Sequence, residues 1–183
     1  MKKTTKYATL LLAAITLNAT ILPTVASVYA ETTSQTTTSN KLSESQVNDL
    51  VDEVAENHPD VSKEWIKEVA ERQLQGDYSL PPTEGTMFRS AWQGITVGQA
   101  AAAIDVGLGI ALGGAAGGLA NAIKSRGKHA AKSALKNVLA GIIGGKVAES
   151  VLDYALNLTS PGTYIARWWD SQDRYPNNGR INF

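Results

Sequence analysis

The sequence predicts an all-α fold with an N-terminal acidic helical hairpin, a Gly-rich antiparallel helical hairpin and an irregular aromatic C-terminal tail. Two apolar stripes at helical spacing lie within residues 43–76, next to residues that begin or end helices. Residues 91–160 are apolar and rich in glycine and alanine, and a basic segment divides them into two parts. Because the chain has no cysteine, stability must come from burial or from a partner.

The first 30 residues have the composition of a secretory signal peptide. Lysines precede an apolar core at residues 7–22, and Val28-Tyr29-Ala30 is a small-residue cleavage site. The apolar run is short for a retained membrane anchor, so we expect secretion of a mature chain that begins at Glu31. Residues 31–40 are rich in Ser and Thr, which predicts a disordered spacer.

The acidic helical hairpin is predicted for residues 43–76. Ser43 begins the first helix with the spacing of a capping box, and Pro59 ends it. A second apolar stripe follows from Ser62, and the short link between the two implies an antiparallel pair. Prolines and a glycine then mark residues 77–90 as a linker.

Glycines recur at four-residue spacing along residues 91–160. Each glycine costs an isolated helix about 1 kcal/mol relative to alanine, so close packing must offset the loss. GxxxG spacing allows such packing and is enriched at helix contacts inside membranes. We therefore predict two long helices, through residues 106–123 and 134–158. Their predicted packing or membrane-facing glycines are Gly94, Gly98, Gly109, Gly113, Gly117, Gly141 and Gly145.

Asp105 is the only charged residue between Ala91 and Ile123. It either caps a helix that starts at Val106 or acts as a functional polar group inside a bundle or pore. At the centre of a bilayer its carboxylate would cost about 2.5–3.5 kcal/mol, which cancels most of the gain from its apolar neighbours. The stretch therefore suits either a membrane-entering helix or a tightly packed core.

The basic segment between the two predicted helices has no acidic residue from 124 to 136. It is either a solvated loop or a turn that binds lipid headgroups. In the second interpretation the headgroup-binding residues are Lys124, Arg126, Lys128, Lys132 and Lys136. In the tail, residues 161–183, Trp168 and Trp169 are interface aromatics or cover the apolar end of the bundle.

The distribution of charge points to an anionic surface as the partner. Residues 31–84 hold 12 acidic and 4 basic residues, whereas residues 85–150 hold 7 basic and 2 acidic residues. The basic, apolar middle should attract either the acidic front half or an anionic lipid membrane. Nucleic acid is not expected as a partner, because the basic segment lacks interleaved aromatic residues.

The residue inventory favours a protein without catalytic activity. The two histidines, His58 and His129, belong to no catalytic motif that we recognise. Asp170 and Asp173 do not have the spacing of a calcium-binding loop. We expect no catalytic residues, no metal and no cofactor, although a cleft that joined a histidine to an acid would favour an exported hydrolase.

Residues Gly107–Ala120, GLGIALGGAAGGLA, resemble the Gly/Ala-rich bacteriocins of Gram-positive bacteria. The resemblance implies secreted glycine-zipper helices that permeabilise target membranes. Those peptides are much shorter and usually carry a double-glycine leader, and the acidic hairpin has no counterpart in them.

The predicted function is therefore a secreted, bacteriocin-like protein that forms pores in membranes or permeabilises them. Its expected partner is an anionic lipid membrane, with self-association or a cognate immunity protein as further candidates. The alternative is a soluble all-α binding or inhibitor domain at the cell surface, in which the Gly-rich hairpin is the core.

Overall fold

The structure, a computed structural model, describes residues 42–82, 94–144 and 147–182 and is mostly helical in these ranges, which confirms the all-α class. The predicted signal peptide and spacer, residues 1–40, and residues 83–90 of the predicted linker lie outside the described residues. Within the described ranges the elements are α1 (Glu44–Asn57), α2 (Lys63–Leu74), β1 (Ile95–Thr96), α3 (Val97–Ala111), α4 (Leu119–Arg126), α5 (Lys128–Ile143), α6 (Glu149–Ala155), α7 (Pro161–Asp170) and β2 (Arg180–Ile181).

α1 and α2 form where the local signals in the sequence are strongest. Ser43 caps α1 through a complete capping box, and the Ser62 side chain caps α2. Each helix buries its apolar stripe, which includes Leu50 in α1 and Ile66 in α2. The two helices pack against each other and against α3, so most of their acidic side chains remain exposed.

α3 is the centre of the fold. Thr96 caps its N-terminus in a capping box, and β1, directly before it, pairs antiparallel with β2. From Gln99 to Gly109 all eleven consecutive residues are buried. α3 contributes to each hydrophobic cluster among the described residues: one shared with α4 to α7, one with α1 and α2, and one with α7 and β2.

The bounds of α3 correct the prediction of a long helix through residues 106–123. The helix begins at Val97, so Asp105 lies in its interior and does not cap a helix at Val106. It ends at Ala111, and no helix in the described part of the chain has the length and apolar character of a membrane span.

A glycine turn separates α3 from α4. Four of its glycines adopt positive φ angles: 85° at Gly113, 98° at Gly114, 78° at Gly117 and 101° at Gly118. These angles are incompatible with a right-handed helix and are accessible to glycine because it has no Cβ. Gly113 and Gly117, which we predicted at a helix-packing face, therefore form part of a turn.

The predicted helix 134–158 is also interrupted. α5 begins at Lys128 and ends at Ile143, and α6 begins at Glu149. Gly144 has a left-handed conformation with φ of 60°, which ends α5 as a glycine C-cap commonly does. Gly145, another predicted packing residue, lies outside the described residues.

The C-terminal tail is not irregular throughout, contrary to the prediction. Ser160 caps α7, and Pro161 occupies a first-turn position, where its missing N–H costs no helical hydrogen bond. α7 packs more extensively against α3 than any other described element does. The tail therefore forms one side of the enclosure around α3.

Candidate functional site

α3 is the candidate functional element because it is apolar on all sides. A helix that covers a core with one face carries polar residues on its other face, whereas an all-round apolar helix belongs in a core or a membrane. The polar side chains of α3 are Gln99 and Asp105, and both are buried. The contacts that cover α3 and bind Asp105 therefore define the candidate site.

Two glycines of α3 let side chains of α1 and α5 lie directly on its backbone. A Cβ atom added at Gly109 would overlap the side chain of Leu50, in α1. One added at Gly107 would lie 2.6 Å from Cγ1 of Val138, in α5. Gly109 was among the predicted packing residues, whereas Gly107 was not.

The N-terminal end of α3 has similar close contacts. A Cβ atom at Gly98 would overlap the carboxylate of Asp60, which lies in the link between α1 and α2. A Cβ atom at Gly94 would overlap the backbone carbonyl of Ile181 in β2. Both predicted glycines thus lie at contacts with neighbouring segments, and neither contact joins two helix backbones.

Among the described glycines, Gly162 is the one at which two helix backbones approach closely, and it is not one of the predicted packing residues. A Cβ atom at Gly162, in α7, would overlap the backbone carbonyl oxygen of Ala101, in α3. The predicted residue Gly141 instead faces the ring of Tyr78, whose Cγ would lie 2.6 Å from an added Cβ. Gly162 stands alone, without a GxxxG partner, so its spacing gave no signal.

A buried polar cluster joins three helices through Asp105. His58, at the C-cap of α1, has Nε2 at 3.0 Å from Asp105 Oδ2, and the Ser160 hydroxyl donates to the same oxygen at 2.6 Å. The backbone N–H of Gly162 donates to Oδ1 at 2.7 Å. Such donors compensate the desolvation of a carboxylate that is only 2% exposed. We call His58, Asp105 and Ser160 the Asp105 cluster.

The Asp105 cluster contains the residue types of a hydrolytic triad but not its geometry. A Ser–His–Asp relay uses one ring nitrogen of histidine for the acid and the other for serine. Here Nε2 of His58 faces both Asp105, at 3.0 Å, and Ser160 Oγ, at 3.4 Å. The serine proton goes directly to the carboxylate, and His58 is only 3% exposed. The arrangement links α1, α3 and α7 to one another.

Glu53 forms a second link between α1 and the glycine turn. Its carboxylate accepts a hydrogen bond of 2.5 Å from the backbone N–H of Leu119, the first residue of α4. The N-cap of α4 is Gly118, which has no side chain, so Glu53 supplies the missing cap. Burial raises the pKa of Glu53, the Leu119 hydrogen bond opposes this shift, and the carboxylate of Asp105 adds to it.

The five predicted headgroup-binding residues fall into two groups. Lys132 forms ion pairs with Glu149 and Asp153, and Lys136 pairs with Glu149. The hydrogen bond from Lys132 to Asp153 is the main cause that raises the pKa of this lysine. The other three, Lys124, Arg126 and Lys128, are exposed and lie on both sides of Gly127, and we call this segment the basic turn. None of the three pairs with a carboxylate of the described residues.

Trp168 and Trp169 are both partly buried on α7. Trp168 packs against the cluster formed by α3 to α7, and Trp169 packs against the cluster that α3 shares with α7 and β2. Each ring therefore covers part of a hydrophobic cluster to which α3 contributes.

No family model matches the chain, and no curated protein or solved structure is found to be similar to it. Within the described residues, no group of three or more His, Cys, Asp or Glu side chains could hold a metal ion.

Proposed function

We propose that this chain is a secreted, bacteriocin-like, membrane-active protein that keeps an apolar helix enclosed until it meets an anionic membrane. The observation that carries the proposal is the burial of α3 on every side over eleven consecutive residues. In this proposal α1 and α2 act as an acidic hairpin that covers α3, and the Asp105 cluster holds that cover in place.

The membrane-bound form must be longer than α3 itself. Fifteen residues span about 22 Å as a helix, whereas the hydrocarbon core of a bilayer is about 30 Å thick. We propose that α3 extends through the glycine turn into α4 when it enters lipid. Making the four turn glycines helical costs about 4 kcal/mol. Close GxxxG packing between copies of the extended helix would offset that cost, as small-residue contacts do in membranes.

The proposal gives Asp105 a role in keeping the helix out of the membrane. In the folded protein its carboxylate accepts hydrogen bonds from His58, Ser160 and Gly162. Inside a bilayer the same group would cost about 2.5–3.5 kcal/mol. Release of α3 therefore requires loss of these three bonds, and attraction of the basic turn to anionic lipid would favour that release.

An engineered disulfide tests whether α3 must leave its cover. Asp60 and Gly98 suit it, because Cγ of Asp60 lies 2.7 Å from a Cβ atom added at Gly98. One further bond of about 1.5 Å places the two Cβ atoms within about 4.2 Å. Disulfides need about 3.5–4.5 Å, and the chain has no native cysteine to interfere.

The measurement is dye release from vesicles of phosphatidylglycerol and phosphatidylcholine by the purified secreted protein. We expect release by the wild type and by reduced Asp60→Cys/Gly98→Cys, and strong suppression when the double variant is oxidised. The single variants, Asp60→Cys and Gly98→Cys, are the controls. Their dye release should be the same under oxidising and reducing conditions. Equal release by the oxidised and reduced double variant, or no release by a helical wild type, would contradict the proposal.

A second candidate function is a binding or inhibitor domain without catalytic activity. The observation that favours it is a cavity of about 330 Å³ lined by Trp65 and the acidic residues Asp60, Glu64 and Glu68. Carboxylates beside an indole ring suit a basic segment of a protein partner. This candidate predicts cooperative unfolding and no association with vesicles of any composition.

A further inference from the structure

We propose that a cavity beside the Gly127 turn binds one anionic phospholipid, with the phosphate at two lysines and the start of an acyl chain on an apolar floor. The inference rests on the proposed membrane activity and names the ligand that first brings the folded protein to the bilayer. It concerns the enclosed form, before α3 is released.

The cavity lies where α4 and the start of α5 meet the chain that follows α6. It has a volume of about 460 Å³, within the range of ligand pockets. Four aliphatic lining residues are buried or half-buried and are called the floor, whereas two lysines and one amide are exposed and are called the rim: Ala120, Ile123, Leu156 and Leu158, then Lys124, Lys128 and Asn157. A molecule with an apolar chain and an anionic head matches that arrangement.

The positive charge at the rim is available to a ligand. Among the described residues, neither Lys124 nor Lys128 forms an ion pair with a carboxylate, whereas Lys132 and Lys136 do. The Lys128 ammonium donates to Asn157 Oδ1 at 2.5 Å, and both residues line the cavity. An ammonium has three donors, so two remain for phosphate oxygens.

A phospholipid uses both parts of the cavity, whereas free phosphate uses only the rim. Inorganic phosphate would leave the floor of Ile123, Leu156 and Leu158 without an apolar partner. The headgroup of a bilayer lipid brings its own acyl chain, and burial of each methylene adds about 0.8 kcal/mol. This is why we assign the cavity to a lipid and not to a soluble anion.

The first experiment compares two double variants that remove the same charge from the same basic segment. Lys124→Gln/Lys128→Gln should weaken binding to vesicles of phosphatidylglycerol and phosphatidylcholine by about 30-fold, because each lysine near the surface contributes about fivefold. Lys132→Gln/Lys136→Gln leaves the rim intact and should weaken binding much less, although it frees two carboxylates. Equal losses would mean unspecific attraction and would overturn the proposal.

The floor and the source of the anion need their own tests. Leu158→Asn keeps the branched shape of the side chain and removes apolar surface, so it should also weaken binding to the same vesicles; unchanged affinity would overturn the proposal. Inorganic phosphate at the concentration of accessible lipid should not displace the wild type from the vesicles, and displacement would assign the site to free phosphate.

Titration with dihexanoyl phosphatidylglycerol should shift amide resonances at residues 120–128 and 156–158. Shifts elsewhere only would contradict the assignment.

The oxidised Asp60→Cys/Gly98→Cys protein separates this inference from the proposed function. Because the cavity belongs to the enclosed form, the oxidised protein should still bind anionic vesicles while it releases no dye. Binding that depends on Lys124 and Lys128 without any release by the wild type would support the site and contradict membrane activity. Release that is unaffected by Lys124→Gln/Lys128→Gln would support activity and overturn the site.

Discussion

Gly107 and Gly109 have helical backbone and lie beneath side chains of α5 and α1, whereas Gly113 and Gly118, a few residues later, have positive φ angles and form a turn. Both groups come from one Gly-rich stretch, and Gly109 and Gly113 even share one GxxxG spacing. The first group is fixed by what packs on it, and the second by backbone angles. Spacing alone therefore shows that a small residue is needed without showing which of the two reasons applies.

The contacts that fix α3 depend most strongly on Asp105. Asp105→Ala should lower the free energy of unfolding by about 3–5 kcal/mol, because it leaves the buried His58 ring and the buried Gly162 N–H without their acceptor and removes one acceptor of the Ser160 hydroxyl. Urea unfolding followed by circular dichroism measures the loss. Ser160→Ala is the comparison variant, since it removes one donor to Asp105 and the cap of α7 and should cost about 2 kcal/mol. Similar losses for both variants would show that the carboxylate is not the centre of the cluster.

An added methyl group should lower stability more where it meets backbone than where it meets an exposed side chain, and α3 has one contact of each kind. Gly162→Ala should cost about 1–3 kcal/mol, because the new Cβ meets the backbone carbonyl of Ala101, which cannot move without shifting α3. Gly98→Ala meets the Asp60 carboxylate, which is exposed and can rotate away, so the loss should be much smaller. Thermal unfolding of both variants measures this, and a larger loss for Gly98→Ala would reverse the interpretation.

The turn glycines should be sensitive to backbone angle even where there is space. Gly118 has φ of 101° and ψ of 150°, a region that is almost restricted to glycine, so Gly118→Ala should cost about 1–2 kcal/mol. Gly144, with φ of 60° and ψ of 5°, lies in the left-handed region that asparagine tolerates, and nothing lies within 4 Å of an added Cβ. Gly144→Asn should therefore be nearly neutral in the same unfolding assay. Equal losses of stability for Gly118→Ala and Gly144→Asn would mean that the backbone angle does not determine the cost of replacing these glycines.

The sequence signals for α1 and α2 are local, because each helix depends on residues close in sequence. Ser43 and Ser62 lie next to the helices they cap, and the apolar stripes follow at helical spacing. The same local signal precedes α3, where Thr96 and Gln99 have capping-box spacing. This spacing marks the start of the helix at Val97. The glycine turn was missed because composition does not reveal the sign of φ.

The Asp105 cluster could not be predicted, because its members are far apart in sequence. His58 and Ser160 lie 47 and 55 positions from Asp105, so no local pattern joins them. The available signal was a single charge within an apolar stretch, which requires partners wherever it is buried. The ion pair of Lys132 with Asp153 could not be predicted for a related reason. It forms because the helix breaks between α5 and α6, which brings the two residues together.

The smallest expected effect concerns the link between α1 and the turn, and it depends on pH. The pKa of Glu53 is raised in the folded protein above its ordinary value of 4.5, so this group contributes stability below that pH and loses it as the pH rises through the raised value. Glu53→Gln keeps an acceptor for the Leu119 N–H and cannot ionise. Relative to wild type, Glu53→Gln should therefore be more stable at pH 7 than at pH 4, with a larger free energy of unfolding, and Glu56→Gln is the control for net charge on α1. A relative gain that is larger at pH 4 would show that ionised Glu53 stabilises the turn, and that α1 fixes the turn by charge and not by hydrogen bonding alone.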